Sequence, residues 1–144
     1  MNATTQDLIT IGSVSMQFFV DGQSTTGHMA MAQMIVQPQA KVPPPHRHAG
    51  VDETIHVLEG ALTYRVDGNV RILHAGDQCF SPRGSVHHFC NTGDVPARAL
   101  VVFSPADIGP DYFREIAGVL GVGGPPDMAQ MKSVMQRHGI ELAH

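Results

Sequence analysis

Short runs of alternating apolar and polar residues, broken by turn-forming clusters, fill most of the chain. Residues 14–20 (VSMQFFV) and 28–36 (HMAMAQMIV) read as strands separated by Asp21-Gly22-Gln23-Ser24. Prolines at 38, 43, 44 and 45 interrupt regular structure before the next pattern begins. Residues 54–58 (TIHVL) read as a strand closing at Glu59-Gly60. Segments 61–66 and 69–73 flank Asp67-Gly68, a dipeptide suited to a two-residue hairpin turn. Strands at 78–81, 86–90 and 97–103 follow, separated by Pro82-Arg83-Gly84-Ser85 and Asn91-Thr92-Gly93-Asp94. About eight or nine short strands, with turns roughly every eight to ten residues, predict an all-β sandwich or barrel.

The periodicity then changes. Residues 111–120 place Phe113, Ile116, Ala117 and Leu120 on one helical face. Gly121, Gly123, Gly124, Pro125 and Pro126 read as a hinge. A second helix is expected from an N-cap at Asp127 to about His138, with Met128, Met131, Val134 and Met135 as its apolar side and Gly139 as its stop. The expected organisation is a barrel over 1–105 and a helical extension over 106–144 packed on it, as one domain.

Composition narrows the function classes. The 144 residues are 42% hydrophobic, enough for a packed core, and carry a net charge of -4 with no basic cluster, which argues against nucleic acid. No apolar run is long enough for a membrane span, and no secretory signal is visible. Cys79 and Cys90 make no disulfide framework and read as buried strand residues, so a reducing cytoplasm is the expected location. Histidine is the oddity: its nine residues equal Lys and Arg together.

The chemistry gathers at four residues, His46, His48, Glu53 and His87. On a strand, His-x-His puts both imidazoles on one face. Imidazoles and a carboxylate suit a divalent transition ion such as Fe, Mn, Ni or Zn, and four such donors leave two octahedral positions free. If Glu53 faces inward, so do Ile55 and Val57; if His87 does, so does Phe89, while His88 and Cys90 face away. Leu62, Tyr64 and Val66 are candidates for the same pocket. Parity turns His56 away from the site, and His28 reads as a surface residue. Asp52, on the opposite face from Glu53, is expected to pair with Arg47.

Two spaced motifs give these residues a family. His46, His48, Glu53 and Gly60 resemble the first cupin motif, and Gly76, Pro82, Gly84, His87 and Asn91 resemble the second. The short spacer between them is similar to that of small bacterial single-domain cupins, and the helix pair resembles the quercetin-dioxygenase-like subgroup. Where the first motif opens with glycine, this chain has Ala40, which suggests a reshaped turn. The resemblance implies an antiparallel double-stranded β-helix, a jelly-roll barrel holding one metal inside its wider mouth.

Three functions fit such a site. One is a metal-dependent dioxygenase acting on a small hydrophobic or aromatic substrate, with Glu53 also accepting a proton. Another is a metal-dependent isomerase, decarboxylase or polyketide cyclase. The third is a non-enzymatic binding protein whose metal is structural. The expected partners are a small molecule and a second copy of the chain, with residues 8–20 lying along the partner's sheet; neither nucleic acid nor membrane is expected.

Overall fold

The alternating segments pair into two antiparallel sheets whose apolar faces meet. The computed structural model describes residues 7–121 and 123–143. In chain order the strands are β1 (Leu8–Ile11), β2 (Val14–Val20), β3 (Ala30–Val36), β4 (His46–His48), β5 (Asp52–Glu59), β6 (Ala61–Val66), β7 (Asn69–His74), β8 (Gln78–Ser81), β9 (His87–Cys90) and β10 (Ala97–Ser104). Helices α1 (Pro110–Leu120) and α2 (Met128–Arg137) follow, then β11 (Ile140–Leu142). One sheet runs β1-β2-β3-β10-β5-β8 and the other β11-β4-β9-β6-β7. The architecture is a jelly-roll barrel with a short helix pair.

Period-two alternation builds the core. Glu53, Ile55 and Val57 of β5 lie opposite Phe103, Val101 and Ala99 of β10, all buried. Leu62 pairs with Leu73, and Tyr64 with Phe89, on the facing sheet. Phe18 packs between Phe103 and Phe113, with ring centroids 6.5 and 5.7 Å away, and so fastens α1 to the first sheet. The Asp67-Gly68 turn has both φ values positive, as its hairpin requires. Gly60 (φ +72°) is obligatory for a second reason: a Cβ there would sit 2.5 Å from the Pro96 carbonyl oxygen.

Several expectations need correction. Strand β3 starts at Ala30 because the Thr25 hydroxyl bonds both the carbonyl (2.6 Å) and the N–H (3.2 Å) of Met29, holding residues 28–29 in a turn. At the turn where Ala40 stands in place of the motif's glycine, the positive φ is carried by Gln39 (+59°). Helix α1 buries Pro110, Ile116 and Val119, leaving Leu120 exposed, and α2 buries Val134 and Met135 but exposes Met128. Phe113 and Ala117 of the expected α1 face do pack against the core, Phe113 beside Phe18 and Phe103. Asp127 does cap α2, accepting from the Gln130 N–H at 3.1 Å. Of the hinge before it, Val122 lies outside the described residues.

Arg47 and Asp52 do not pair, because they stand on different sheets. Asp52 binds the backbone N–H and guanidinium of Arg83, and Arg47 binds Glu141 at 2.8 Å. Cys79 and Cys90 are free and half-buried rather than fully enclosed. Residues 8–20 form two strands of the chain's own sheet, β1 pairing with β2 and β2 with β3, with β1 at the sheet's edge. The tail is more than a helix pair: β11 joins the second sheet beside β4. No helix among the described residues is long and apolar enough to cross a membrane.

Candidate metal centre

The site is assembled across the gap between the sheets. His46 and His48 come from β4 and His87 from β9, in register with His46. Glu53 reaches across from β5. A ligand atom from each of the three imidazoles lies within 4.8 Å of the others. Glu53 Oε2 stands 3.0 Å from His87 Nε2 and 3.6 Å from His48 Nδ1. His48, His87 and Glu53 are buried, and His46 is the most open of the four.

Two of the ring nitrogens are orphans. His48 Nδ1 and His87 Nε2 are buried with no hydrogen-bond partner among the described residues. The Glu53 carboxylate approaches His87 Nε2 to 3.0 Å, an ion-pair distance. A buried unpaired polar atom costs about 1–3 kcal/mol, and native proteins rarely keep two side by side without a reason. On the far side of its ring, His46 Nδ1 donates to the Pro44 carbonyl at 2.8 Å, which leaves Nε2 with its lone pair free. His87 Nδ1 faces the Ser85 carbonyl at a longer 3.4 Å. Carbonyls behind the His46 and His87 rings thus orient their lone pairs toward one space, as ligating histidines require.

The electrostatics agree. Burial pushes the His48 imidazole down to about 4, against the pull of Glu53. Burial likewise lowers His46, helped by His87. For His87, burial lowers and the Glu53 carboxylate raises, and the carboxylate wins. Glu53 is pushed up by burial but held below its ordinary range by the three histidines, His87 foremost. The balance favours neutral His46 and His48 beside an ionised Glu53, while the Glu53 carboxylate favours the charged form of His87.

A buried ring of side chains supports these four. Tyr64 lies parallel to His87, and its hydroxyl is 3.1 Å from Ser81 Oγ. Phe103 packs against the His48 ring at 6.1 Å. Ile55, Val57, Leu62 and Tyr64 are fully buried in the barrel, and Phe89 is half-buried against it. Ser81 and Phe103 escaped the sequence reading, although the parity of β8 and β10 already places both inward. Ile140, opposite His48, had no local signal. His56 faces away and contacts Gln78, and His28 binds the Thr25 carbonyl at the surface. A cavity of about 300 Å³ opens elsewhere, beside the start of α1, between Asp21, Asp107, Tyr112, Arg114 and His138. It shares no residue with the imidazole cluster, and donor chemistry rather than cavity size decides where the site is.

Known proteins share this frame. The family described as "Cupin domain" matches residues 32–103, half of the chain. Germin-like protein 9-3 of Oryza sativa subsp. japonica is 34% identical over 88 residues, covering 58% of this chain and 41% of the relative. Probable oxidoreductase patJ of Penicillium expansum is 41% identical over 73 residues, 50% of this chain and 22% of that one. The chain spans less than two thirds of the length of the curated relatives it matches. A crystal structure of a predicted oxalate decarboxylase from Thermotoga maritima superposes with a TM-score of 0.65 at 23% identity, covering 72% of this chain and 96% of that one, a likeness of fold.

Proposed function

Because the chain belongs to the cupin domain family, we propose that it is a metal-dependent oxidoreductase of dioxygenase type, acting on a small hydrophobic or aromatic substrate. His46, His48, Glu53 and His87 are the proposed ligands of one divalent transition ion, Fe, Mn, Ni or Zn. The observation that carries the reading is the pair of buried, partnerless ring nitrogens facing an ionised carboxylate. Such donors fit a cation and fit little else. Relatives named as germin-like and as a probable oxidoreductase support the reaction class.

When bound, the ion supplies Lewis-acid polarisation and redox chemistry at its open positions. The protein supplies the rest. Glu53, ionised beside His87, accepts a proton from an acidic substrate hydroxyl. Tyr64 stays protonated, because burial first and Glu53 second raise its phenol well above the ordinary range. Fully buried Ile55, Val57 and Leu62 and half-buried Phe89 surround the site with apolar core, a setting that suits an aromatic substrate better than a sugar phosphate. His46, the least buried ligand, marks the side of approach.

The test is elemental analysis of the purified protein, followed by product analysis with diketones, catechols and flavonols in air and under strict anaerobiosis. Oxygen-dependent turnover is expected. Turnover that persists without oxygen would move the assignment to an isomerase, decarboxylase or cyclase. The deep burial of His48, His87 and Glu53 also favours a second reading, a binding protein with a closed structural metal. A metal spectrum with no exchangeable water would select it. The protein is further proposed to act in a reducing cytoplasm, where Cys79 and Cys90 stay free, and to be a homodimer, which light scattering at micromolar concentration checks.

A further inference from the structure

Two of the clustered imidazoles sit on a strand of only three residues, β4. Toward β9 its ladder amounts to one registered pair, His46 with His87, assisted by the Gly84 N–H donating to the His48 carbonyl at 2.8 Å. Its other edge is matched along its whole length by β11. Ile140 stands opposite His48, Glu141 opposite Arg47 and Leu142 opposite His46. Two more bonds extend this pairing past both ends: the Ala49 N–H donates to the Gly139 carbonyl and the Ala143 N–H to the Pro45 carbonyl, each at 2.9 Å.

Side chains reinforce the backbone on both faces. Ile140 is only 2% exposed and shares the inner face with its cross-strand partner His48. On the outer face Arg47 binds Glu141. Upstream, α2 is tied to α1 because Glu115 contacts Arg137 at 3.2 Å and His138 at 2.9 Å, while Val134 and Met135 are buried. Gly139, at φ +74°, ends α2 and turns the chain into β11, a conformation that other residues adopt only with strain. Ligand geometry must be held to within about 0.5 Å for tight metal binding, and three residues with one registered pair to β9 do not hold themselves so closely.

We propose that the segment Met128–Leu142 is a latch that positions the metal-ligand strand, with Ile140 as its main positioning residue. This rests on the metal reading above and adds to it a coupling between latch docking and ion affinity. Coupling is reciprocal: a docked latch tightens metal binding, and bound metal tightens the latch by the same factor. The segment is thus a built-in control on the site, able to loosen β4 without altering any ligand.

The experiment uses the full chain with Ile140→Ala and Gly139→Ala, and Ile116→Ala as a variant of a buried α1 residue away from β4. Two readouts are taken: Zn²⁺ affinity by chelator competition, and hydrogen exchange of the Ala49 amide in metal-stripped protein. Ile140→Ala and Gly139→Ala are expected to speed Ala49 exchange and to weaken Zn²⁺ binding about ten-fold, as loss of a supporting contact behind a ligand does. Ile116→Ala is expected to lower Tm while moving neither readout. Parent-like affinity and exchange in both latch variants would overturn the latch, and Gly139→Ala carries the test if Ile140→Ala does not fold. His87→Ala separates the two ideas: undiminished Zn²⁺ binding there sinks the metal reading, while Ala49 exchange still judges the latch.

Discussion

Tyr64 lies nearly parallel to His87, with ring planes 10° apart and centroids 6.4 Å apart, and its hydroxyl meets Ser81 Oγ at 3.1 Å. Ser81 in turn stands in register with Glu53 on the opposite sheet. One hydrogen bond therefore spans the barrel directly behind the imidazole cluster. Tyr64→Phe keeps the ring and strands the Ser81 hydroxyl, which is 1% exposed. The expected loss of stability is about 1–3 kcal/mol with metal content retained. Urea unfolding and elemental analysis measure the two, and unaltered stability would show that the hydroxyl pair contributes nothing.

His48→Ala removes one of four converging donors and the one whose nitrogen is most plainly orphaned. Bound divalent ion is expected to fall from about one per chain to near zero after dialysis against a weak chelator. Metal content equal to that of the parent would mean a different ligand set.

Acid should weaken the metal-stripped protein. Unfolded histidines take up a proton near pH 6.5, whereas burial holds His48 at about 4 in the fold and lowers His46 too. Between those values the unfolded chain binds more protons, so stability falls as pH drops from about 6.5 toward about 4. His87 acts in the other direction: its folded value is raised, so its contribution is complete below about 6.5 and fades as pH rises through that folded value. Two lowered groups against one raised predict a net decline in Tm from pH 6.5 to 4.5, and a shallower one in His48→Gln. An identical slope in parent and variant would exclude His48 as the cause.

Gly60→Ala tests the close approach of β5 and β10. The new methyl would meet the Pro96 carbonyl oxygen at 2.5 Å with the backbone held at φ +72°. Left-handed strain alone costs about 1–2 kcal/mol, and a backbone clash adds to it. A loss above about 2 kcal/mol in denaturant unfolding is expected. A smaller loss would mean that the β5–β6 corner shifts freely.

What the sequence made legible follows from local physics. Alternation in 54–58 and 97–103 revealed both strands, and in the first of them the inward side of Ile55 and Val57, because a strand's faces repeat every second residue. The Asp67-Gly68 hairpin was readable for the same reason: two positive φ values leave few choices of residue. His46, His48, Glu53 and His87 stood out as donors at characteristic spacings, and the fold does bring them together. Long-range pairing was not legible. Ile140-Glu141-Leu142 is too short to show a period, and nothing within it says that its neighbour will be β4. The ion pairs failed likewise: Arg47 has both Asp52 and Glu141 as candidates, and only the sheet order decides between them. Leu120 and Met128 look like core by spacing, but they are the last residue of α1 and the first of α2 and stay exposed.

The pairing of β4 with β11 has a kinetic side. Arg47 and Glu141 are 94 residues apart in the chain, so the edge of β4 waits for nearly everything else to be synthesised. The ends of so long a loop must be brought together before their contact returns anything, and pairings of this kind form slowly. The barrel strands β5, β6 and β7 follow one another and join by short turns, so they can collapse while β4 is still half-dressed. During that interval the strand carrying His46 and His48 lacks its β11 partner on one edge. The site matures last, after the frame around it has set.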